Sequence, residues 1–263
     1  MPLGAWGQGQ ATLTARLEAL GNARTAAAQD SLSHLVRDDL AAILGSDSGL
    51  TADLSHVPIS RVDAPDGAFR LVTWNIRRQD GHFRYHGLLA AKGRKGIDVH
   101  DLRDATTEIA SPAQAQLGVD RWYGALYYAA VPVKKGGRTW YALLGWKGVS
   151  DIETRKVVEM LSLGSSPRFG APTFPEGPRR AMRKIFAYNA QAKLTLKWDE
   201  EHRSIVVDHL APTDPAFAGN PAFLAPDMTY DAYHWDRDHW EIQRDVDVRG
   251  AQRSRPFKAP PPK

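Results

Sequence analysis

From residue 57 onward the chain is written as short runs of aromatic and β-branched residues, each closed by Gly, Asp, Asn or Pro, and this rhythm restricts it to antiparallel sheet. In VDAPDGAFRLVTWNIRRQDGHFRYHGLL, residues 62–89, Asp66-Gly67 and Asp80-Gly81 each separate two such runs. Glycine adopts the positive φ that a tight hairpin requires, and aspartate bonds back to the backbone of its own turn. The spacing predicts strands over 59–63, 69–76 and 83–90, with 97–102 pairing next. A second group, 122–133, 139–146 and 156–163, turns at Gly136-Gly137. A third follows over 184–189, 192–198, 204–209, 230–235 and 240–246. Three meanders resemble propeller blades in outline, yet three cannot close a propeller ring. The expected fold class is therefore α+β, mainly β: antiparallel meander sheets forming a curved sheet, a sandwich or blade-like units, with N-terminal amphipathic helices. Runs that are apolar on both alternating faces, such as 122–133, predict burial on two sides.

The helices are read from 11–44, where Leu13, Leu17 and Leu20, then Leu32, Leu35, Val36, Leu40, Ile43 and Leu44, recur at i+3 and i+4. Gly21-Asn22 is the expected break, Asp30 or Ser31 the expected N-cap of the second helix, and Gly45 its stop. The organisation expected is a disordered or signal-derived segment at 1–10, a helical segment at 11–45, a β-rich domain at 57–248 and a basic, Pro-rich disordered tail at 249–263.

A chain of 263 residues, 43% of them hydrophobic, supplies a substantial core. It contains no cysteine, which excludes disulfides, thiolate metal sites, iron–sulfur clusters and cysteine nucleophiles together. The net charge of +4 is concentrated in the tail, where Arg249, Arg253, Arg255, Lys258 and Lys263 stand without an acid, so the body is close to neutral. A solvated extension is the plain reading of that tail, and contact with acidic lipid, glycan or nucleic acid the sharper one. Nucleic acid is not expected as a partner of the body, because basic residues are not interleaved with its aromatic strands. No apolar run reaches the roughly 18 residues of a transmembrane segment. Near the start, Ala5-Trp6-Gly7 before Gln8 places small residues at the −3 and −1 positions of a signal-peptidase junction. This pattern predicts a periplasmic or secreted protein with residues 1–7 as an extended stub, and an ordinary cytoplasmic N-terminus is the alternative.

The segments APDGAFRLVTWNI, FRYHGLL, DRWYGALYYAAVPVK, TWYALLGWKG, RKVVEMLSL, RFGAPTF, KIFAYNAQAKLTLKWDEEHRSIVVDHLAP and YDAYHW, taken in that order, resemble a family of uncharacterised Bacteroidota proteins, many with a secretory signal. The resemblance covers about residues 65–248. It implies a Bacteroidota source and a secreted or periplasmic place, and it carries no activity, cofactor or catalytic residue with it.

Function narrows to two classes. No G-x-S-x-G, H-E-x-x-H, Walker A or dinucleotide fingerprint is present, and no cofactor is expected. The longest irregular stretch, 211–228, holds four prolines, and loops of this length often carry function. Asp208, His209, Asp214 and Asp227 begin and line it, which makes them the candidates for acid and base in a hydrolase acting on an envelope or extracellular glycan or peptide. The same residue types at a strand end also cap and orient loops. For binding, Trp74, Trp122, Tyr123 and Trp146 are the candidates for a stacking platform, with Tyr128, Trp140 and Tyr141 nearby. Large aromatics in β-proteins are more often core. His234, Asp236, Asp238 and His239 crowd one stretch, but Asp236-Arg237-Asp238 reads as a hairpin turn, so no metal is expected there. His82 and His86 on one strand would lie about 13 Å apart, too far to share an ion. The expected function is a non-catalytic secreted or cell-envelope binding or structural module with a glycan or protein partner, and the hydrolase is the alternative.

Overall fold

The structure, a computed structural model, describes residues 3 to 247, with side chains from residue 11 onward. Helices α1 (Leu3–Asn22) and α2 (Ala26–Leu44) open the chain. Thr25 caps α2: its backbone is extended at φ −112° and its Oγ1 accepts the Ala28 N–H at 3.2 Å. The cap therefore falls earlier than Asp30 or Ser31, because three alanines with the highest helix propensity follow directly on a threonine able to satisfy a free N–H. Gly45 ends the helix, its N–H bonded to the Ala41 carbonyl at 2.9 Å. Helix α1 already runs from Leu3, so the extended stub expected over residues 1–7 is helical from that point. Once Leu13 and Leu20 anchor a helix, adding residues at its start costs propagation and no new nucleation. The tail expected at 249–263 lies outside the described residues.

Strands β1 (Ser60–Asp63), β2 (Phe69–Arg77), β3 (Phe83–Lys92) and β4 (Ile97–Arg103) form a four-stranded antiparallel sheet in chain order. Gly67 and Gly81 take φ of +67° and +82° in the turns, as hairpins with Asp-Gly require. The next strand starts late. Residues 122–125 precede β5 (Leu126–Lys135), because Gly124 has φ +47° and a Cβ there would lie 2.8 Å from both Asp104 and Tyr85. Strands β6 (Arg138–Gly148) and β7 (Glu153–Ser162) follow, then the short β8 (Arg168–Phe169) beside β7 and a two-stranded ribbon of β9 (Phe174–Glu176) and β10 (Arg179–Ala181).

Strand β11 (Arg183–Asn189) returns to β7 and completes a second sheet in the order β11-β7-β6-β5. The run expected to open the third sheet thus closes the second. Its Ile185 and Tyr188 pack into clusters on opposite faces, and only a middle layer covers both faces of a strand. The third sheet contains β12 (Leu196–Asp199), β13 (Ser204–Pro212), β14 (Leu224–Asp236) and β15 (His239–Gln243), again in chain order. Both ends of the loop expected at 211–228 are strand, with Ala211 opposite Ala225 and Pro212 opposite Leu224. The Thr213 N–H bonds the Phe223 carbonyl at 2.8 Å, so by alternation the nitrogens of Pro212 and Pro226 point away from the partner strand and no ladder bond is lost.

These elements stack as four layers. Val72, Trp74, Ile76, Leu88 and Ala90 face Leu13, Val36 and Leu40 of the helices. The opposite face of the first sheet, with Phe69, Leu71 and Leu89, meets Leu143, Val157 and Leu161 of the second. Behind those, Ala142, Leu144, Val158 and Met160 meet Ile205, Val207, Tyr233 and Trp240 of the third. The fold is α+β and mainly β, with antiparallel sheets and two N-terminal helices. Among the described residues no helix is long and apolar enough to cross a membrane.

Candidate functional site

Of the four candidates around the 211–228 stretch, Asp227 and His209 lie close enough to interact electrostatically, and each of the three carboxylates is engaged in a bond of its own. Asp208 Oδ2 accepts the Thr195 N–H at 2.7 Å, Asp214 caps Ala216 N–H at 2.8 Å, and Asp227 accepts both N–H and Oγ1–H of Thr229 at 3.0 and 2.8 Å. Each holds a local turn or neighbouring strand. His209, at the β-bulge between Asp208 and Leu210, instead pairs its Nδ1 with Asp231 Oδ2 at 3.0 Å. Asp231 was not a sequence candidate. It lies on β14 opposite Val207, and that register is set by tertiary pairing rather than by spacing.

The aromatic candidates separate as well. Trp122 and Tyr123 are fully buried and form no platform. They belong to a polar network between the first and second sheets. Trp122 Nε1 donates to Tyr127 Oη at 3.1 Å, Tyr127 donates to Glu159, and Arg183 Nε donates to Glu159 Oε1 at 2.5 Å. Arg155 Nη1 donates to Tyr123 Oη at 2.7 Å. Lys147 Nζ donates to Gly124 O, Thr106 Oγ1 and Tyr123 O at 2.6, 2.9 and 3.0 Å, beneath the rings of Tyr85 and Tyr123. Burial pulls its pKa down to about 7. Every arm of this network ends on a protein partner, so its chemistry is to fasten the 104–125 connection between the sheets. Trp146 is half-buried, edge-on to Phe83 at 5.9 Å.

On the third sheet, Asp236, His239 and Glu241 bring three ligand atoms within 4.8 Å of one another. The β14–β15 hairpin does turn through Asp236 to His239, and Asp238 already holds His239 Nδ1 at 3.0 Å. The trio is a set of donors of the right type for a cation, with no further feature pointing to one. A recess of about 220 Å³ nearby is lined by His202, Ser204 and His234.

The larger opening lies at the other end of the molecule, a cleft of about 770 Å³ between the C-terminal turns of α1 and the far end of β2. Leu17 and Leu20 form its helical wall, Trp74 and Ile76 face them, and Asp151 stands at the opposite rim. Of the four sequence-derived binding candidates, Trp74 lines it. The Trp74 indole is 6% exposed and stacks on His86 with ring centres 5.4 Å apart. Its Nε1–H is buried and has no acceptor among the described residues, a condition worth about 1–3 kcal/mol that native structures seldom tolerate. Burial, reinforced by Arg84, pushes His86 down to about 4. Around the rim Arg77 pairs with Asp151 and Arg78 with Asp30, while Gln29 Nε2 donates to the carbonyls of Ala23 and Arg77 at 3.2 Å each. The rim is thus tied together, and the floor is not. No family model, no curated protein and no solved structure matches this chain.

Proposed function

We propose that the protein is a non-catalytic binding module whose ligand occupies the cleft between α1 and β2. The observation that carries this reading is the buried, acceptor-free indole N–H of Trp74 in the wall of the cleft of about 770 Å³. Ligand sites combine an apolar wall with a few polar groups left unsatisfied by the protein itself. The engagement of Asp208 by the Thr195 N–H, and of Asp214 and Asp227 by their own turns, argues in the same direction. An exported, envelope-associated place and kinship with the Bacteroidota proteins are part of the proposal and rest on the Ala5-Trp6-Gly7-Gln8 junction and the ordered segments of the sequence.

A fragment library screened by amide and indole shifts of the ¹⁵N-labelled chain tests the site. Hits are expected to move the Trp74 indole resonance first. Hits that gather at His209 and Asp231 instead would overturn the reading and favour the hydrolase, for which the 3.0 Å His209–Asp231 pair is the specific support. In that case His209→Ala abolishes hydrolysis of the glycan or peptide found, and Asp231→Asn reduces it strongly.

A further inference from the structure

The floor of the cleft is a strand edge that its own sheet leaves open. Strand β1 pairs with β2 from Asp63 opposite Arg70 to Ser60 opposite Thr73 and then stops, while β2 runs on to Arg77. The residue that continued pairing would place opposite Asn75 is Pro58, which has no N–H to give. Three bonds fix the direction of the exposed groups. Arg78 N–H bonds the His82 carbonyl, Lys92 N–H bonds the Ala68 carbonyl, and Ala64 N–H bonds the Phe69 carbonyl. By alternation the even residues of β2 bond β3, and the odd ones, Asn75 and Arg77, point toward the vacant flank. Tyr85, opposite Asn75, sends its N–H the other way, to Asp104 at 3.0 Å. The Arg77 carbonyl is taken by Gln29. By that alternation the backbone N–H and C=O of Asn75 and the N–H of Arg77 face the flank that β1 leaves uncovered.

We propose that the cleft binds an extended peptide segment of a partner protein, which continues β1 past Pro58 as an added strand on β2 from Trp74 to Arg77. This deepens the binding reading and rests on it. The uncovered length is about 13 Å, room for roughly four extended residues. The residue facing Asn75 exchanges two backbone bonds and directs its side chain toward Leu126 and Asp151. Its two neighbours direct theirs toward Leu17, Leu20, Trp74 and Ile76, which selects apolar side chains at alternate positions. Glu18 and Arg24 line the same cleft without an ion-pair partner among the described residues, so charges of either sign at the ends of the segment find a complement. A sugar needs an open aromatic face, and that of Trp74 is covered by His86.

Nine-residue peptides displayed on phage are selected on the full chain, and the enriched peptide is studied with ¹⁵N-labelled protein. The Asn75 and Arg77 amides are expected to exchange about tenfold more slowly in the complex than in the free chain. N-methylation of the peptide residue facing Asn75 is expected to weaken binding about tenfold or more, and N-methylation of its neighbour to leave binding unchanged. Pro58→Val, which restores the N–H that β1 lacks there, is expected to let the chain compete for its own edge and weaken the peptide, with the circular dichroism spectrum unchanged. A peptide that leaves the Asn75 amide unprotected, or tolerates methylation at every position, overturns the added strand while the cleft remains the site. The same holds if fragments occupy the cleft and no peptide is enriched. If neither fragments nor peptides reach the cleft, the binding reading falls with it.

Discussion

Two polar regions of the molecule are built from similar residues and reach opposite ends. Between the first two sheets, Glu159, Arg183, Tyr127 and Lys147 are buried and closed on one another. Under α1, the Trp74 indole N–H is left without an acceptor and the Asn75 backbone faces an open cleft. Buried charge is costly unless every lone pair and proton is matched, so the first region persists only because it is complete. The second persists while incomplete, and that incompleteness beside a cavity is what the proposed ligand site rests on.

Breaking the closed region should have the largest effect. Glu159→Ala leaves the Arg183 guanidinium without its carboxylate and Tyr127 without its acceptor, and is expected to lower unfolding stability in urea by about 3–5 kcal/mol. A Glu159→Leu, Arg183→Met double variant, which removes both charges, should recover much of that loss. If the single variant unfolds at the wild-type urea concentration, the network does not hold the sheets.

Lys147→Met comes next, at about 3 kcal/mol, because the carbonyls of Tyr123 and Gly124 lose their donor. The wild-type pH profile carries a signature of the same residue. Its pKa is near 7 when folded and near 10.5 when unfolded, so the unfolded chain binds the proton more tightly between those values and stability rises as pH goes from about 7 to 10. Chemical denaturation across that range should show the rise in the wild type and a flatter profile in Lys147→Met.

The wall of the cleft responds to acid in a different window. His86 stands near 4 when folded against 6.5 unfolded, so its contribution is complete above about pH 6.5 and is lost as pH falls toward 4. Allowing for its partial exposure, the loss is about 2 kcal/mol, and thermal melts of His86→Phe should lack it. The smallest change is expected at Trp74 itself. Trp74→Phe removes a donor that has no acceptor, so stability should stay within about 1 kcal/mol of wild type while cleft ligands bind more weakly. A stability loss beyond what the smaller ring and the weaker stacking on His86 account for would mean that the indole N–H is satisfied and would erase the contrast between the two regions.

Much of the fold is legible along the chain, because the sheets are built from local hairpins. Asp66-Gly67 and Asp80-Gly81 announce the turns of the first sheet, and Leu13, Leu17 and Leu20 the helical face. What escapes is set by contacts distant in sequence. Residues 184–189 look like the start of a new meander, yet Ile185 and Tyr188 need cover on both faces and find it beside β7. Pro212 and Pro226 look like loop residues until the Thr213–Phe223 bond shows which way their nitrogens point. The cleft is hidden for a similar reason. Pro58 reads as a residue before a strand, and only the register of β1 on β2 places it opposite Asn75. Glu159 and Arg183 carry no local signal of burial, although Glu159 interrupts the apolar run VVEMLSL and such an interruption is a reason to look for an internal partner.

The four layers are stacked in nearly the order in which the chain is written, and that has a consequence for synthesis. As the chain leaves the ribosome, each sheet finds the preceding layer in place and waits for the next to cover its other face. The middle sheet waits longest. It lacks β11 until residue 189 and its outer cover until β13 to β15 are made. A nascent or truncated chain ending near residue 195 would present Ala142, Leu144, Val158 and Met160 as a bare apolar surface. That interval, rather than the emergence of the helices, is when a chain made in this order presents its broadest uncovered apolar face.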